Sequence, residues 1–289
     1  MPTIALVTYA GLPDLSADDR LLLPALAERG FSAEAVAWDD PTVDWHRFDA
    51  AVMRSAWNYH LEHDRFDAWL RTMEEAGVRL WNSPAVLRWN ADKRYLLELA
   101  ARGVPIAHTR VVEAGDGGSL NAVLESAGWL DAVVKPVVSA SAHDTWRVQR
   151  PATAEQEGRF RAQAAERAQL VQRFIPQVQQ DGEWSLVFFG GAFSHAVMKR
   201  PAAGDFRVQQ EHGGTSERRD PSPDLLNDAR AILARVPHRT LYARVDGCSM
   251  AGRLMLMELE LLEPSVFLQA DPQAAGRFAD AIVRSGLTV

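Results

Sequence analysis

Residues 1–85 alternate short apolar runs with amphipathic segments, and this alternation limits the possible folds more than any other feature. TIALVTY (3–9), SAEAVAW (32–38), FDAAVMRSAW (48–57) and VRLWNSP (78–84) read as strands. DDRLLLPALAERG, ending at Gly30, and DRFDAWLRTMEEAG, closing at Gly77, read as helices with glycine stops. Strands and helices in turn, joined by short loops, predict a parallel, doubly wound sheet. No G-x-G-x-x-G follows the first strand, so the dinucleotide fingerprint is missing. Ligands of open α/β sheets lie beyond the carboxyl ends of strands, which here are TYAG and RSAWNYH.

The rest of the chain changes character. WNADKRYLLELAARGVPIAHTRVV predicts a helix from about Asp92, stopped at Gly103, and then a strand. DAVVKPVVSASAHDTWRV reads as a strand, a small-residue loop and a strand, and PATAEQEGRFRAQAAERA as a polar-faced helix. From LVQRFI onward strands dominate, with EWSLVFFGG and AFSHAVMKRP joined as a hairpin at Gly190-Gly191. The stretch 202–224 reads as a loop before a helix at 223–235. The expected class is α/β, with α+β character in the later part. An N-terminal parallel domain over 1–88 precedes two lobes, 89–170 and 171–289.

Composition excludes several functions. A chain of 289 residues, 47% hydrophobic and 24% charged, can bury a sizeable core. A net charge of −7 argues against a nucleic-acid footprint or a polybasic membrane surface. The single cysteine, Cys248, rules out a disulfide within the chain and reads as a small buried residue beside a turn. MPTIALVTYAGLP lacks a basic region followed by a long apolar run, and no segment reaches membrane-spanning length. The expectation is a soluble, cytoplasmic protein with a small-molecule partner; a homodimer stays open. One bias is more telling: of 31 basic residues only Lys93, Lys135 and Lys199 are lysine. Lysine is a compact point charge, suited to phosphate oxygens or a reacting centre.

LYARVDG and LMLMELEL flank the turn-prone SMAG. A hairpin folded about Gly252 sets Asp246 opposite Glu258 and Arg244 opposite Glu260, because each pair averages to 252. Side chains alternate faces along a strand, so three carboxylates and one arginine gather on one side. Asp246 and Glu258 would repel in the metal-free sheet. A hard divalent cation wants oxygen ligands of this kind, and Mg²⁺ commonly takes one or two carboxylates plus substrate phosphates. The alternative is an exposed edge strand with solvated glutamates.

A lysine before a helix, VVKP leading into a small-residue loop, VQRFI and a carboxylate hairpin occur in the order that resembles the ATP-grasp fold, over roughly residues 90–265. Within that superfamily the chain resembles glutathione-synthetase and RimK-type ligases. RSAWNYH, LWNSP and ELELLEPS together resemble the ATP-grasp ligases of cycloserine biosynthesis, an antibiotic pathway.

The resemblance implies that Lys93 and Lys135 bind ATP phosphates, under a lid formed by VSASAHD with Ser139 and Ser141. That lid departs from the usual glycine-rich composition, and His143 within it either touches phosphate or is solvated. Gln172 stands where many relatives place a glutamate facing the adenine amino group, Phe174 and Ile175 would read the ring edge, and Glu183 matches a ribose-binding carboxylate. Asp246, Glu258 and Glu260 would hold two Mg²⁺ ions, Mn²⁺ being an alternative, with Glu260 at a position many relatives fill with asparagine. Arg244, Lys199 and Arg207 are the implied catalytic set. Arg54, Trp57 and Tyr9, at strand ends, suit a small amino-acid-like carboxylate.

The implied activity is an ADP-forming ligase that makes a C–N bond through an acyl phosphate, either between two molecules or within one. A kinase of the same fold and a non-catalytic nucleotide-binding regulator are the alternatives.

Overall fold

The computed structural model describes residues 1–208 and 212–286. Its first sheet is wholly parallel. β1 (Thr3–Thr8) is flanked by β2 (Ser32–Ala37) and by β3 (Ala50–Met53), and β4 (Arg79–Trp81) closes the order β2-β1-β3-β4. The order runs both ways from β1, as a doubly wound sheet does. Buried on every side, β3 reads AAVM and ends at Met53, earlier than its apolar run predicts. Arg54 and Ser55 have already turned away, both giving their N–H to the Val7 carbonyl. Two helices connect these strands, α1 (Leu22–Ala27) and α2 (His63–Glu75).

The helix expected from about Asp92 to Gly103 is preceded by one that was not expected. α3 (Pro84–Ala91) starts at a Ser83 N-cap with proline in its first turn, and α4 (Tyr95–Ala101) follows. The break falls at residues 92–94 and leaves Lys93 at a corner, where its N–H donates to the Val137 carbonyl at 2.8 Å.

A second sheet follows the order β5-β8-β6-β7 and is antiparallel throughout. It comprises β5 (Thr109–Val112), β6 (Asp131–Pro136), β7 (Trp146–Gln149) and β8 (Gln169–Arg173). Helices α5 (Leu120–Ser126) and α6 (Ala154–Glu166) cover it, the latter opened by a Thr153–Gln156 capping box. After the short α7 (Gln177–Gln180) comes the third sheet, β11-β10-β9-β12-β13. The expected hairpin is β9 (Glu183–Phe189) with β10 (Ala192–Arg200). β11 (Thr215–Arg218) pairs with β10 inside the stretch read as loop, of which 209–211 lie outside the described residues. Its TSER alternation is too short and polar to read as a strand; the free edge of β10 supplies the partner. α8 (Pro223–Leu233) leads to β12 (Tyr242–Met250) and β13 (Arg253–Glu260), and α9 (Ala274–Arg284) ends the fold.

The last helix returns to the first sheet. Phe278 of α9 stacks on Phe189 at 4.3 Å, and the same core holds Ile4, Leu6 and Val52. Arg29 and Asp280 close this contact with an ion pair at 2.6 Å. Among the described residues no helix is long and apolar enough to cross a membrane.

The hairpin register agrees with the sequence reading: Asp246 faces Glu258 and Arg244 faces Glu260. The turn is tighter than a fold about Gly252, however, since Met250 pairs with Arg253. Continued regularly, that turn would set Met257 opposite Asp246 and send both glutamates to the other face. A bulge between Asp246 and Gly247 takes up the extra residue and restores the pairing. Glycine is needed there because a Cβ on Gly247 would stand 2.4 Å from the Met255 carbonyl oxygen.

Candidate active site

The second and third sheets, with the segments that follow β1 and β3, line a cavity of ≈ 730 Å³. All three lysines of the chain line it, each almost wholly buried. Arginine therefore serves every other cationic position, and lysine occurs only at this cavity.

The lysines differ in their partners. Lys93, at the α3–α4 corner, donates to the Ser139 carbonyl at 2.5 Å and reaches Glu258 at 3.1 Å. Lys199, on β10, lies between Glu183 at 2.5 Å and Asp246 at 3.0 Å. Lys135, on β6, makes no hydrogen bond or ion pair among the described residues. Burial pushes its ammonium below the usual lysine value, and the nearby charge of Glu258 only partly opposes this.

The carboxylates are compensated more fully than the sequence implies. Asp246 accepts from Ser185 Oγ at 2.6 Å, from Lys199, and from Arg244 Nη2 at 2.8 Å. Arg244 also pairs with Glu260 and donates to the Ser265 carbonyl at 2.8 Å. The expected repulsion between Asp246 and Glu258 is present but outweighed: cations from β10, β12 and the α3–α4 corner sit among the acids. Burial would raise Glu258, but Lys93 and Lys135 outweigh it and hold the carboxyl at about 2. Glu260 goes the other way, pushed up to about 7 by burial against Arg244, with Asp246 and Glu258 adding to the rise.

Among the described residues no three His, Cys, Asp or Glu side chains converge as a ready metal site. The donor chemistry still fits a hard divalent cation. Glu258 and Glu260 are carboxylates on one strand face, and burial, with the charges of Asp246 and Glu258 adding to it, disfavours the ionised Glu260 that such a cation would stabilise. Asp246 joins them only by giving up a bond to Lys199 or Arg244.

At the other walls, Gln172 lines the cavity and gives its amide N–H to Thr109 Oγ1 at 3.1 Å. Phe174 and Ile175 lie beside it, the Phe174 ring 3.6 Å beneath the Arg147 guanidinium and its N–H donated to the Asp131 carbonyl. Glu183 is turned to Lys199. Arg207 lines the cavity while paired with Asp205 at 2.8 Å.

The lid contributes Ser139 and Ser141. Ser141, Ala142 and Asp144 adopt φ of 48°, 53° and 54°, the left-handed conformation that glycine ordinarily supplies. A glycine-free loop therefore takes up a glycine-like path, tied down by an ion pair from Asp144 to Arg167 and by the His143 ring 5.1 Å from that of His60.

Two expected substrate contacts are displaced. Arg54 does not line the cavity; it is fully buried and paired with Asp19 at 2.9 Å. Tyr9 is also outside, its ring packed over Gly11. Trp57 does line the cavity and donates to the Glu263 carbonyl at 3.1 Å.

Sequence reasoning missed Glu263 and Asp18, which line the cavity too. Asp18 Oδ1 accepts the Gln269 N–H at 2.9 Å, whereas its buried Oδ2 has no hydrogen-bond partner among the described residues. Only the ELELLEP run hinted at Glu263. Burial and then Glu260 push the Glu263 carboxyl up to about 8 against Lys93.

A pH dependence follows from this placement. A carboxyl whose folded value exceeds its unfolded one, near 4.3 for glutamate, favours the folded state at low pH. That contribution disappears as pH rises through the folded value, at roughly 1.4 kcal/mol per pH unit per group within the window. His60 has the opposite sign: burial and then His143 lower it to about 4, so it costs stability only below about 6.5. Between pH 6.5 and 8 the ligand-free protein should lose stability, and E263Q should flatten the decline. Denaturation midpoints at both pH values check this; equal declines in wild type and E263Q would contradict it.

The comparisons with known proteins agree on one family. Residues 4–82 match the model described as D-cycloserine synthetase DcsG, N-terminal domain. The cycloserine biosynthesis protein DcsG of Streptomyces lavendulae is 35% identical over 98% of both chains. The crystal structure of D-cycloserine synthetase DcsG superposes with a TM-score of 0.89 at 32% identity, covering 99% of this chain and 100% of that one. A RimK domain ATP-grasp protein from Sphaerobacter thermophilus DSM 20745 shares the fold at a TM-score of 0.68 and 22% identity, over 97% and 99% of the two chains. With full-length identity above 30% to DcsG and an ATP-grasp architecture throughout, the chain belongs to the DcsG family of ATP-dependent ATP-grasp ligases.

Proposed function

We propose that this protein makes cycloserine, closing a C–N bond within one small amino-acid-like molecule at the expense of ATP. The observation that carries the nucleotide half of this reading is Lys135, a buried ammonium that makes no hydrogen bond or ion pair among the described residues and feels Glu258 only at longer range. A buried unpaired charge is costly unless a ligand supplies its partner, and a phosphate oxygen is such a ligand. The ring half rests on full-length similarity to a protein named D-cycloserine synthetase. Cycloserine holds its carbonyl in a ring amide, so the bond to be made joins a carboxyl carbon to a nitrogen of the same molecule.

The roles follow from charge. Lys93 and Lys135 hold phosphate oxygens beneath the 138–144 lid, with Ser139 and Ser141 at its edge. Gln172, Phe174 and Ile175 bracket the base, and Glu183 is offered to the ribose. Glu258 and Glu260, joined by Asp246, would hold Mg²⁺, which supplies charge neutralisation on the phosphates. Arg244 steadies the transferring phosphoryl group and then the tetrahedral oxyanion. Arg207 meets the substrate carboxylate, while Lys199 orients Glu183 and Asp246. At the far end, the unbonded Oδ2 of Asp18 suits the substrate ammonium, beside Trp57. The carboxylate attacks the γ-phosphorus and releases ADP; the internal nitrogen then attacks the acyl carbon and expels phosphate.

The test is ADP release with ATP, Mg²⁺ and either β-aminooxy-D-alanine, the ring-opened form of D-cycloserine, or a panel of small amino acids. The reading expects ADP and D-cycloserine to appear together from a ring-forming substrate. ADP release driven only by a hydroxyl compound that emerges phosphorylated would replace it with the kinase.

A further inference from the structure

Four successive carbonyls after β13 are each held by a side chain, drawn from three places in the fold: the segment after β3, β12 and β10. Trp57 Nε1 donates to Glu263 O at 3.1 Å and Arg54 Nη2 to Pro264 O at 2.5 Å. Arg244 Nη1 donates to Ser265 O at 2.8 Å, and His195 Nε2 lies 2.9 Å from Val266 O. Glu263, Ser265 and Phe267 of this segment line the cavity.

Arg54 is the grip that spans two parts of the molecule. It leaves the end of β3 with no exposed surface, and its Nε bonds Asp19 Oδ1 at 2.9 Å. Asp19 is itself held, accepting from Ser55 Oγ at 2.5 Å and Ser16 Oγ at 3.0 Å. The guanidinium lies 4.9 Å from the Tyr242 ring centre and 5.4 Å from that of Phe278. One side chain thus ties the 16–19 turn, which carries Asp18, to the 263–266 segment; both line the cavity, and the bond from Gln269 N–H to Asp18 joins them a second time. A planar fork is needed to bond Asp19 and Pro264 together; a point charge cannot reach both with the same geometry.

We infer that Arg54, backed by Asp19, is a positioning residue: it touches no substrate but holds the 16–19 turn against the 263–266 segment, and with it sets the fit of the amino-acid-like ligand. The inference rests on the ligase reading for what fills the cavity.

The test uses R54K, which keeps a cation for Asp19, and the double variant D19L/R54M, which replaces the buried pair with apolar side chains, a change often tolerated by folds. The first readout is titration with D-cycloserine in the presence of Mg–ADP. Both variants should bind D-cycloserine at least tenfold more weakly while Mg–ADP affinity stays within twofold of wild type. The second readout is amide hydrogen exchange of the ligand-free protein, which should rise at least tenfold across residues 261–268, rise also in the 16–19 turn and at 54–57, and stay within twofold elsewhere. D-cycloserine affinity within twofold of wild type, equal losses for both ligands, or exchange that rises throughout the chain would each overturn the inference. If wild type binds Mg–ADP but no D-cycloserine, the substrate reading fails alone, and exchange still decides the role of Arg54.

Discussion

Replacing Lys135 by methionine is expected to weaken ATP binding by roughly 1.5–3 kcal/mol, the range for hydrogen bonds to charged groups, or about 10- to 150-fold in affinity. Adenosine, which lacks phosphates, should bind almost as before. Methionine has nearly the shape of the lysine stem and no charge to desolvate. The ligand-free variant should therefore stay close to wild type in stability, because Lys135 makes no hydrogen bond or ion pair among the described residues and the lost attraction to Glu258 is offset by a buried charge removed. This pairing of unharmed stability with lost affinity separates a ligand-binding charge from a structural one. Calorimetric titration with ATP and with adenosine, beside a melting curve, checks it. Equal weakening of both ligands would remove Lys135 from the phosphate site.

The second large effect is E258Q, and here the structure reverses the sign that the sequence suggests. Read from the hairpin alone, Glu258 repels Asp246, and removing its charge should relieve the ligand-free protein. In the fold it is the partner of Lys93 at 3.1 Å and the main charge near Lys135. Neutralising it leaves two buried ammoniums undercompensated, at a cost on the order of 3 kcal/mol. The loss should depend on pH. Because Glu258 is held down at about 2, its contribution is complete above the unfolded value near 4.3 and disappears as pH falls toward 2. The same substitution should abolish most of the stabilisation given by Mg–ATP, since ligands that bind only the native state stabilise by mass action. Turnover should fall by several orders of magnitude, because charge neutralisation is the main work of phosphoryl transfer. Melting curves of wild type and E258Q, with and without Mg–ATP, provide the check. A variant as stable as wild type that gains the full nucleotide shift would contradict both roles.

Much of the architecture was legible because periodicity alone carries it. The N-terminal alternation of strand and helix led to the parallel sheet, and Gly190-Gly191 led to the β9–β10 hairpin. The three lysines stood out because arginine had taken every other position, and one cavity holds them all. What escaped was set by tertiary contact. The β12–β13 register was reached, yet the bulge at Gly247 that produces it depends on a 2.4 Å clearance no local pattern reveals. β11 exists because β10 offers an edge, and its own residues are too few and polar to announce it. Arg54 was read as a substrate contact at the end of a strand expected over 48–57, but β3 stops at Met53 and the side chain turns inward to Asp19. Asp18 and Glu263 fall in segments without regular structure, where spacing carries no directional information.

Capture of the acyl phosphate tests the central claim most directly. The protein is incubated with ATP, Mg²⁺, hydroxylamine and D-serine, which has a carboxylate but no aminooxy nitrogen to close a ring. The account predicts a hydroxamate formed in step with ADP. A stable phosphorylated product, with no hydroxamate at any hydroxylamine concentration, would contradict it.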